Sequence, residues 1–248
     1  MTRNYPMKNV EGEKQDHPHH RSLFFTHGEV NGIDFWSEVK EHGFIKHREF
    51  VEVSASGNRA VIVTRNDWID RADKKHVEDL RRLVFSTDGD SRIIDFDITF
   101  TASYGPVTFG DTKEGSMGVR VPTVMDVDRK QGGEIVNSEG IKDKDAWAKR
   151  AKWVDYHGPV SGQVVGIAML NHPSSFRYPT WWHVRTYGLF AANPFGLKSF
   201  EPDKGVSGAH KLEEGETMSL RYRLIFHKGD EKQADIEGAF QKYAAEKK

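Results

Sequence analysis

The sequence predicts an all-β protein, a large antiparallel β-sandwich closed by one C-terminal helix. Three observations predict it. Short runs rich in Val, Ile, Thr and aromatic residues recur along the chain. Apolar and polar residues alternate within them at period two, the mark of half-buried strands. Polar or glycine-containing connections join the runs, where a parallel α/β sheet would need amphipathic helices.

Taken in order, the first run is "LFFTH", which follows the histidine-rich "DHPHHRS". The next is "RAVIVTRNDWID". In "SRIIDFDITFTAS", Ile93, Asp95, Asp97 and Thr99 alternate with Ile94, Phe96, Ile98 and Phe100. "SMGVRVPTVM", "GQVVGIAMLNH", "WWHVRTYGLFAA" and "TMSLRYRLIFHKG" read the same way. Residues 127–152, charged and glycine-containing, read as a long loop carrying one short helix over "DKDAWAKRAK". A better helix is "ADIEGAFQKYAAEKK" at the C-terminus. With no internal repeat, low-complexity linker or composition step, residues 1–248 read as one domain.

Composition removes several function classes. The 36 basic and 37 acidic residues nearly cancel, so no nucleic-acid partner and no membrane-surface helix is expected. The chain has no cysteine, which excludes disulfides, thiolate metal sites and cysteine nucleophiles. No run approaches the ~20 apolar residues of a membrane span, and "MTRNYPMKNVEGEKQ" lacks the apolar segment of a secretory signal. A soluble, cytoplasmic protein is expected, or a periplasmic or secreted one if a signal precedes this sequence. GxGxxG after a strand, GxxxxGK[ST], HExxH and GxSxG are all absent, leaving nucleotide, zincin and serine-hydrolase readings unsupported.

Four segments carry candidate chemistry. Residues 16–28 hold four of the twelve histidines. In extended chain His17 and His19 share a face, His20 points away, and His27 joins them only if the strand curves. His-x-His can chelate a divalent metal through neutral imidazoles, so His17 and His19 are metal-ligand candidates as well as catalytic ones. In "YPTWWHVRTYG" alternation sends Trp181, His183 and Arg185 to one face. Aromatic planes stack on sugar rings, and Arg and His donate to hydroxyls or a carboxylate. His172 lies just upstream. In "GDTKEGSMGVRV", Glu114 sits in a glycine-flanked turn with Arg120 as its charge partner, a pairing suited to acid–base work. "WVDYHGPVSG" adds Tyr156 and His157, and Asn193 completes the substrate-binding set.

"DHPHHRSLFFTHGEVNGIDFW", "DTKEGSMGVRV", "WVDYHGPVSGQVVGIAMLNHPSSFRYPTWWHVRTYGLFAANPFG" and "LEEGETMSLRYRLIFHKGD" together resemble the bacterial family labelled PmoA-like or DUF6807, over most of the chain. The label suggests a methane monooxygenase subunit, which is membrane-embedded and unlike this chain. The resemblance also implies extra strands ahead of "TRNYPM" in other members. The closing glycine-glutamate turn and long strand are similar to aldose-epimerase-like proteins. That similarity implies a galactose-mutarotase-like supersandwich and histidine–glutamate chemistry on a sugar.

The expected function is a carbohydrate-active enzyme acting on a sugar or oxidised keto-glycoside as lyase, epimerase or hydrolase. His17, His19, Glu114 and His183 are its catalytic candidates, with a divalent metal ion as an optional cofactor. A non-catalytic carbohydrate-binding protein and a metal-dependent oxygenase are the alternatives.

Overall fold

The computed structural model describes residues 1–247. Its strands are β1 (Leu23–His27), β2 (Phe44–Ser56), β3 (Arg59–Ile69), β4 (Lys75–Asp88), β5 (Ser91–Thr101), β6 (Val107–Phe109) and β7 (Gly115–Arg120). They continue as β8 (Glu134–Asn137), β9 (Trp153–Val160), β10 (Gln163–Asn171), β11 (Trp181–Val184), β12 (Leu189–Asn193), β13 (His210–Leu212) and β14 (Thr217–Lys228). The helices are α1 (Leu197–Phe200) and α2 (Ile236–Ala244).

An eight-stranded sheet runs in the order β2-β3-β4-β5-β14-β10-β9-β8, and a four-stranded sheet in the order β1-β7-β12-β11. All their pairings are antiparallel. A two-stranded ribbon of β13 and β6 completes the architecture. The inward faces follow from alternation. Phe25, Met117, Val119, Trp182, Val184, Phe190 and Ala192 of the small sheet meet Phe96, Ile98, Phe100, Val154, Tyr156, Ile167, Leu220 and Tyr222 of the large one. Each large apolar side chain so buried contributes about 1.5–3 kcal/mol. Period-two patterning therefore sets the sandwich as well as the strands.

On the large sheet's outward face, α2 lays Ile236, Phe240 and Tyr243 over Trp153, Ala168, Leu170 and Ile225. The spacing i, i+4, i+7 puts the three on one helical stripe. Asp235 caps the helix by accepting from the Gly238 amide at 3.2 Å.

Three expectations change. "WWHVRTYGLFAA" is two strands, because Gly188 takes φ 102° and closes a turn in which the Gly188 amide donates to Arg185 O at 3.0 Å. "DKDAWAKRAK" is only a 3₁₀ turn over Asp143–Ala146. Its following backbone bonds to β11 instead of to itself: the Ala148 amide donates to Trp182 O at 2.9 Å, and the Trp182 amide to Lys149 O at 3.1 Å. The long loop also contains an edge strand, β8.

Strands β2 and β4 escape period-two reading because charges interrupt them. Those charges pair across the sheet: Arg48 with Glu78 at 2.8 Å and Lys75 with Asp67 at 2.8 Å. Strand β2 forms the free edge and is exposed along nearly its whole length. Its register shifts between His47 and Glu49 and again between Phe50 and Glu52.

Candidate functional site

The outward face of the small sheet carries the candidate site. One cross-strand row runs Phe24–Gly118–Ala191–His183 through all four strands. Gly118 has no room for a side chain, since a Cβ there would lie 2.4 Å from Phe24 Cζ. Trp36, Leu189 and Ala191 form a buried apolar cluster with Phe24 and Tyr187 against it. This cluster is the floor, and polar groups ring it.

One wall is the histidine stretch, which is a turn rather than extended chain. His17 takes φ 43°, Pro18 follows, and the His20 amide donates to His17 O at 3.0 Å. The rings of Tyr187, His17, His20 and Phe24 stack in series, with centroid separations of 5.4, 4.9 and 5.6 Å. His19 meets His20 edge-on at 4.4 Å, and Trp36 meets His20 at 5.5 Å. The expectation that His20 points elsewhere is thus overturned: the turn folds it into the middle of the group. His27 does lie apart, inside the protein, with Nε2 donating to Gly110 O at 2.9 Å.

Buried charges brace this wall. Arg120 is 1% exposed. It donates from Nη2 to Asp16 Oδ1 at 2.8 Å and from Nη1 to His20 Nδ1 at 3.2 Å. Arg3 binds the same Asp16 oxygen. Burial raises the Asp16 pKa, but Arg120, Arg3 and His17 outweigh it and leave the carboxyl below its usual value. The charge partner of Arg120 is therefore Asp16, not Glu114. Burial, then His19 and Arg120, push His20 down to about 2, and burial with His17 lowers His19. His20 stays a neutral ring. Accepting at Nδ1, it carries its proton on Nε2, which is buried and has no hydrogen-bond partner among the described residues.

The facing wall is Glu114, His183 and Arg185. Glu114 sits half-buried in the turn before β7, its carboxylate 2.5 Å from Lys113 Nζ. His183 donates from Nδ1 to Lys113 O at 2.6 Å, leaving Nε2 as the basic nitrogen. Burial lowers His183 to about 4, against the opposing pull of the Lys113 carbonyl and of Glu114. The Glu114 charge also acts across the site on His19 and Tyr187, raising the pKa of each. Arg185 stands in the β11–β12 turn, its guanidinium 5.6 Å from the Tyr187 ring and 5.7 Å from that of Trp147. Beside it opens a depression of about 200 Å³ lined by Lys144, Trp147, Val184, Arg185 and Thr186.

His17, His19, Glu114, His183, Arg185 and Arg120 are thus brought together, and five other nominated residues are not. Trp181 is buried beneath the Arg150 guanidinium, 4.4 Å from its ring centroid. Tyr156 lies in the sandwich core, its hydroxyl donating to Thr186 O at 3.0 Å. Asn193 is buried and donates to Thr112 O at 2.9 Å, bracing the turn that carries Glu114. His172 bonds Ser174 Oγ at 2.8 Å and packs on Tyr243 of α2. His157 points from β9 to the large sheet's outward face. Sequence reasoning missed Asp16, Trp36, Tyr187 and Arg3. The first three lie in or beside segments already singled out, whereas Arg3 carried no signal. As metal candidates, His17 and His19 meet edge-on at 5.8 Å. Among the described residues, the three-donor cluster is elsewhere, at Glu134, His157 and Glu231.

Among the described residues no helix is long and apolar enough to cross a membrane. Solved structures similar to this chain include an alpha-galactosidase from Lactobacillus brevis (11% identity, TM-score 0.41, covering 86% of this chain and 30% of that one). Another is a galactose mutarotase-like protein from Clostridium acetobutylicum (11% identity, TM-score 0.40, 87% and 84%). A third is a GH36 alpha-galactosidase from Geobacillus stearothermophilus (9% identity, TM-score 0.38, 85% and 30%). The chain therefore spans about 30% of the length of the two galactosidases. No curated protein matches it significantly. A family model matches residues 3–241, and the chain belongs to that family, the family of unknown function DUF6807.

Proposed function

We propose that this protein is a carbohydrate-active enzyme working by general acid–base chemistry on a sugar or keto-glycoside at the outward face of the small sheet. The observation that carries the reading is the meeting of Glu114, His183 and His19, from three separate elements, over an aromatic floor. A neutral His183 can accept a proton at Nε2, and the adjacent Glu114 carboxylate favours the imidazolium that results. Arg185, held between the Tyr187 and Trp147 rings beside the open depression, is the donor for the sugar's oxygens. Arg120 and Asp16 position the histidine wall.

The test is deuterium exchange from solvent into plain and keto-glycosides, followed by NMR, for wild type, Glu114→Gln and His183→Asn. Each variant is expected to lose about 100-fold or more in turnover while sugar still binds. Full turnover in both variants would sink the assignment. A second reading, a non-catalytic carbohydrate-binding protein, is favoured by the burial of His183, 3% exposed. Sugar binding without exchange, indifferent to Glu114→Gln, would select it.

A further inference from the structure

The sandwich has a second outward face, and under the end of β14 it holds a polar cluster that the proposed sugar chemistry does not use. Glu134 on β8 and His157 on β9 are direct cross-strand partners. His157 Nε2 lies 4.0 Å from Glu134 Oε1. Glu231, in the connection from β14 to α2, approaches from the other edge of the ring, with Oε2 4.0 Å from His157 Nδ1. One ligand-type atom from each of the three residues lies within 4.8 Å of the others.

Behind the cluster is a buried outer shell. Asp155 is 0% exposed. It accepts from His157 Nδ1 at 2.7 Å and from His227 Nε2 at 2.6 Å. With Nδ1 committed to that carboxylate, a neutral His157 presents its lone pair at Nε2, toward Glu134. Carboxylate-held imidazoles of this kind are a recurrent support of metal ligands. Gly166 keeps the space open, because a Cβ there would lie 2.2 Å from His227 Cε1 and 3.0 Å from His157 Cβ. The cluster therefore joins two partly buried carboxylates, 34% exposed at Glu134 and 12% at Glu231, to a ring whose tautomer and orientation are set from within. The other charged neighbours are Lys142, whose Nζ pairs with Glu134 Oε1 at 2.8 Å, and Asp230, whose carboxylate and His157 act on each other through space.

We infer that Glu134, His157 and Glu231 form a binding site for a divalent transition-type cation, with Zn²⁺ as the fitting probe. One imidazole and two carboxylates on a cysteine-free chain suit Zn²⁺ better than a hard cation that prefers all-oxygen ligands. Water completes the coordination on the solvent side. Bound there, the ion ties β8, β9 and the segment leading into α2 to one point.

The experiment is calorimetric titration of the chelator-stripped full chain with ZnCl₂, paired with melting curves with and without the ion. One saturable site is expected in wild type. Glu231→Gln and His157→Gln should weaken it roughly tenfold or more. Lys142→Met should tighten it, because the ammonium competing for Glu134 is gone, and His17→Gln/His19→Gln should leave it unchanged. Zn²⁺ should raise the melting temperature of wild type and not of Glu231→Gln. Glu231→Gln keeps the side chain's size and Lys142 is exposed, so these two variants remain decisive if His157→Gln does not fold. No saturable binding, or binding lost with His17 and His19 but not with Glu231, would overturn the inference.

Discussion

Asp16 and Arg120 are bonded at 2.8 Å, and this contact fastens the histidine-bearing turn to β7 of the small sheet. Asp16 also neutralises Arg3, whose side chain is fully buried. Asp16→Asn would leave two buried guanidiniums without a counter-charge. Asp16 is 38% exposed and solvent screens part of the effect, so a loss of about 1–3 kcal/mol is expected, measured by urea denaturation. Adding Arg120→Met should recover part of it, and strict additivity of the two changes would show the pair to be uncoupled.

Stability should fall on acidification. His27 and His183 are each lowered to about 4 and His20 to about 2, all by burial first. The unfolded chain binds protons at these residues near pH ~6.5, while the folded chain does not until their folded values are reached. Stability contributed by these rings is therefore present above pH ~6.5 and lost as pH falls toward 4. His157, raised by Asp155 and nearby carboxylates despite its burial, runs the opposite way and loses stability as pH rises through its folded value. His19 and His210 are lowered as well, so the lowered rings outweigh the raised one and melting temperature should drop steadily from about pH 6.5 to about 4.5. A flat profile would contradict these assignments.

Gly118→Ala places a methyl against the Phe24 ring and must displace it. Overpacking of this kind costs about 1–3 kcal/mol. Near-UV circular dichroism should report the disturbed stack of Phe24, His20, His17 and Tyr187, and Phe24→Leu in the same chain should relieve part of the strain. An unchanged spectrum with unchanged stability would show that the stack does not lean on this contact.

Phe50 and Phe100 are the same residue type in strands of one sheet, at 63% and 0% exposure. Phe100→Ala should cost about 3–5 kcal/mol, whereas Phe50→Ser should stay within about 0.5 kcal/mol. Denaturation midpoints of the two variants check the contrast.

Most of the sandwich was legible because its inner strands show one apolar face. "SRIIDFDITFTAS" became β5, and its Phe96, Ile98 and Phe100 entered the core as the alternation requires. Strands β2 and β4 were not legible. Cross-strand ion pairs such as Arg48–Glu78 and Lys75–Asp67 put charges where an apolar period would show, although Val77 and Val84 of β4 are buried. At the candidate site, His183 was nominated from its strand face and Glu114 from its glycine-flanked turn, and the fold puts both on the outward side of the small sheet. His20 was assigned to the wrong side because strand alternation was applied across a turn. Tyr156, His172 and Asn193 were chosen for their chemistry, yet burial gives them structural partners that sequence spacing cannot disclose.

The two register shifts in β2 bear on how the protein behaves in a crowd. A flat free edge of thirteen residues, with Phe50, Val51 and Val53 exposed, would offer neighbouring chains a ready template for fibril growth. Each bulge breaks the even spacing of amides and carbonyls and increases the local twist. A second chain approaching this edge meets a ladder with rungs out of step, and its stacking stalls after a few residues. Removing one residue at either shift would straighten that edge, and the expected result is turbidity rather than unfolding.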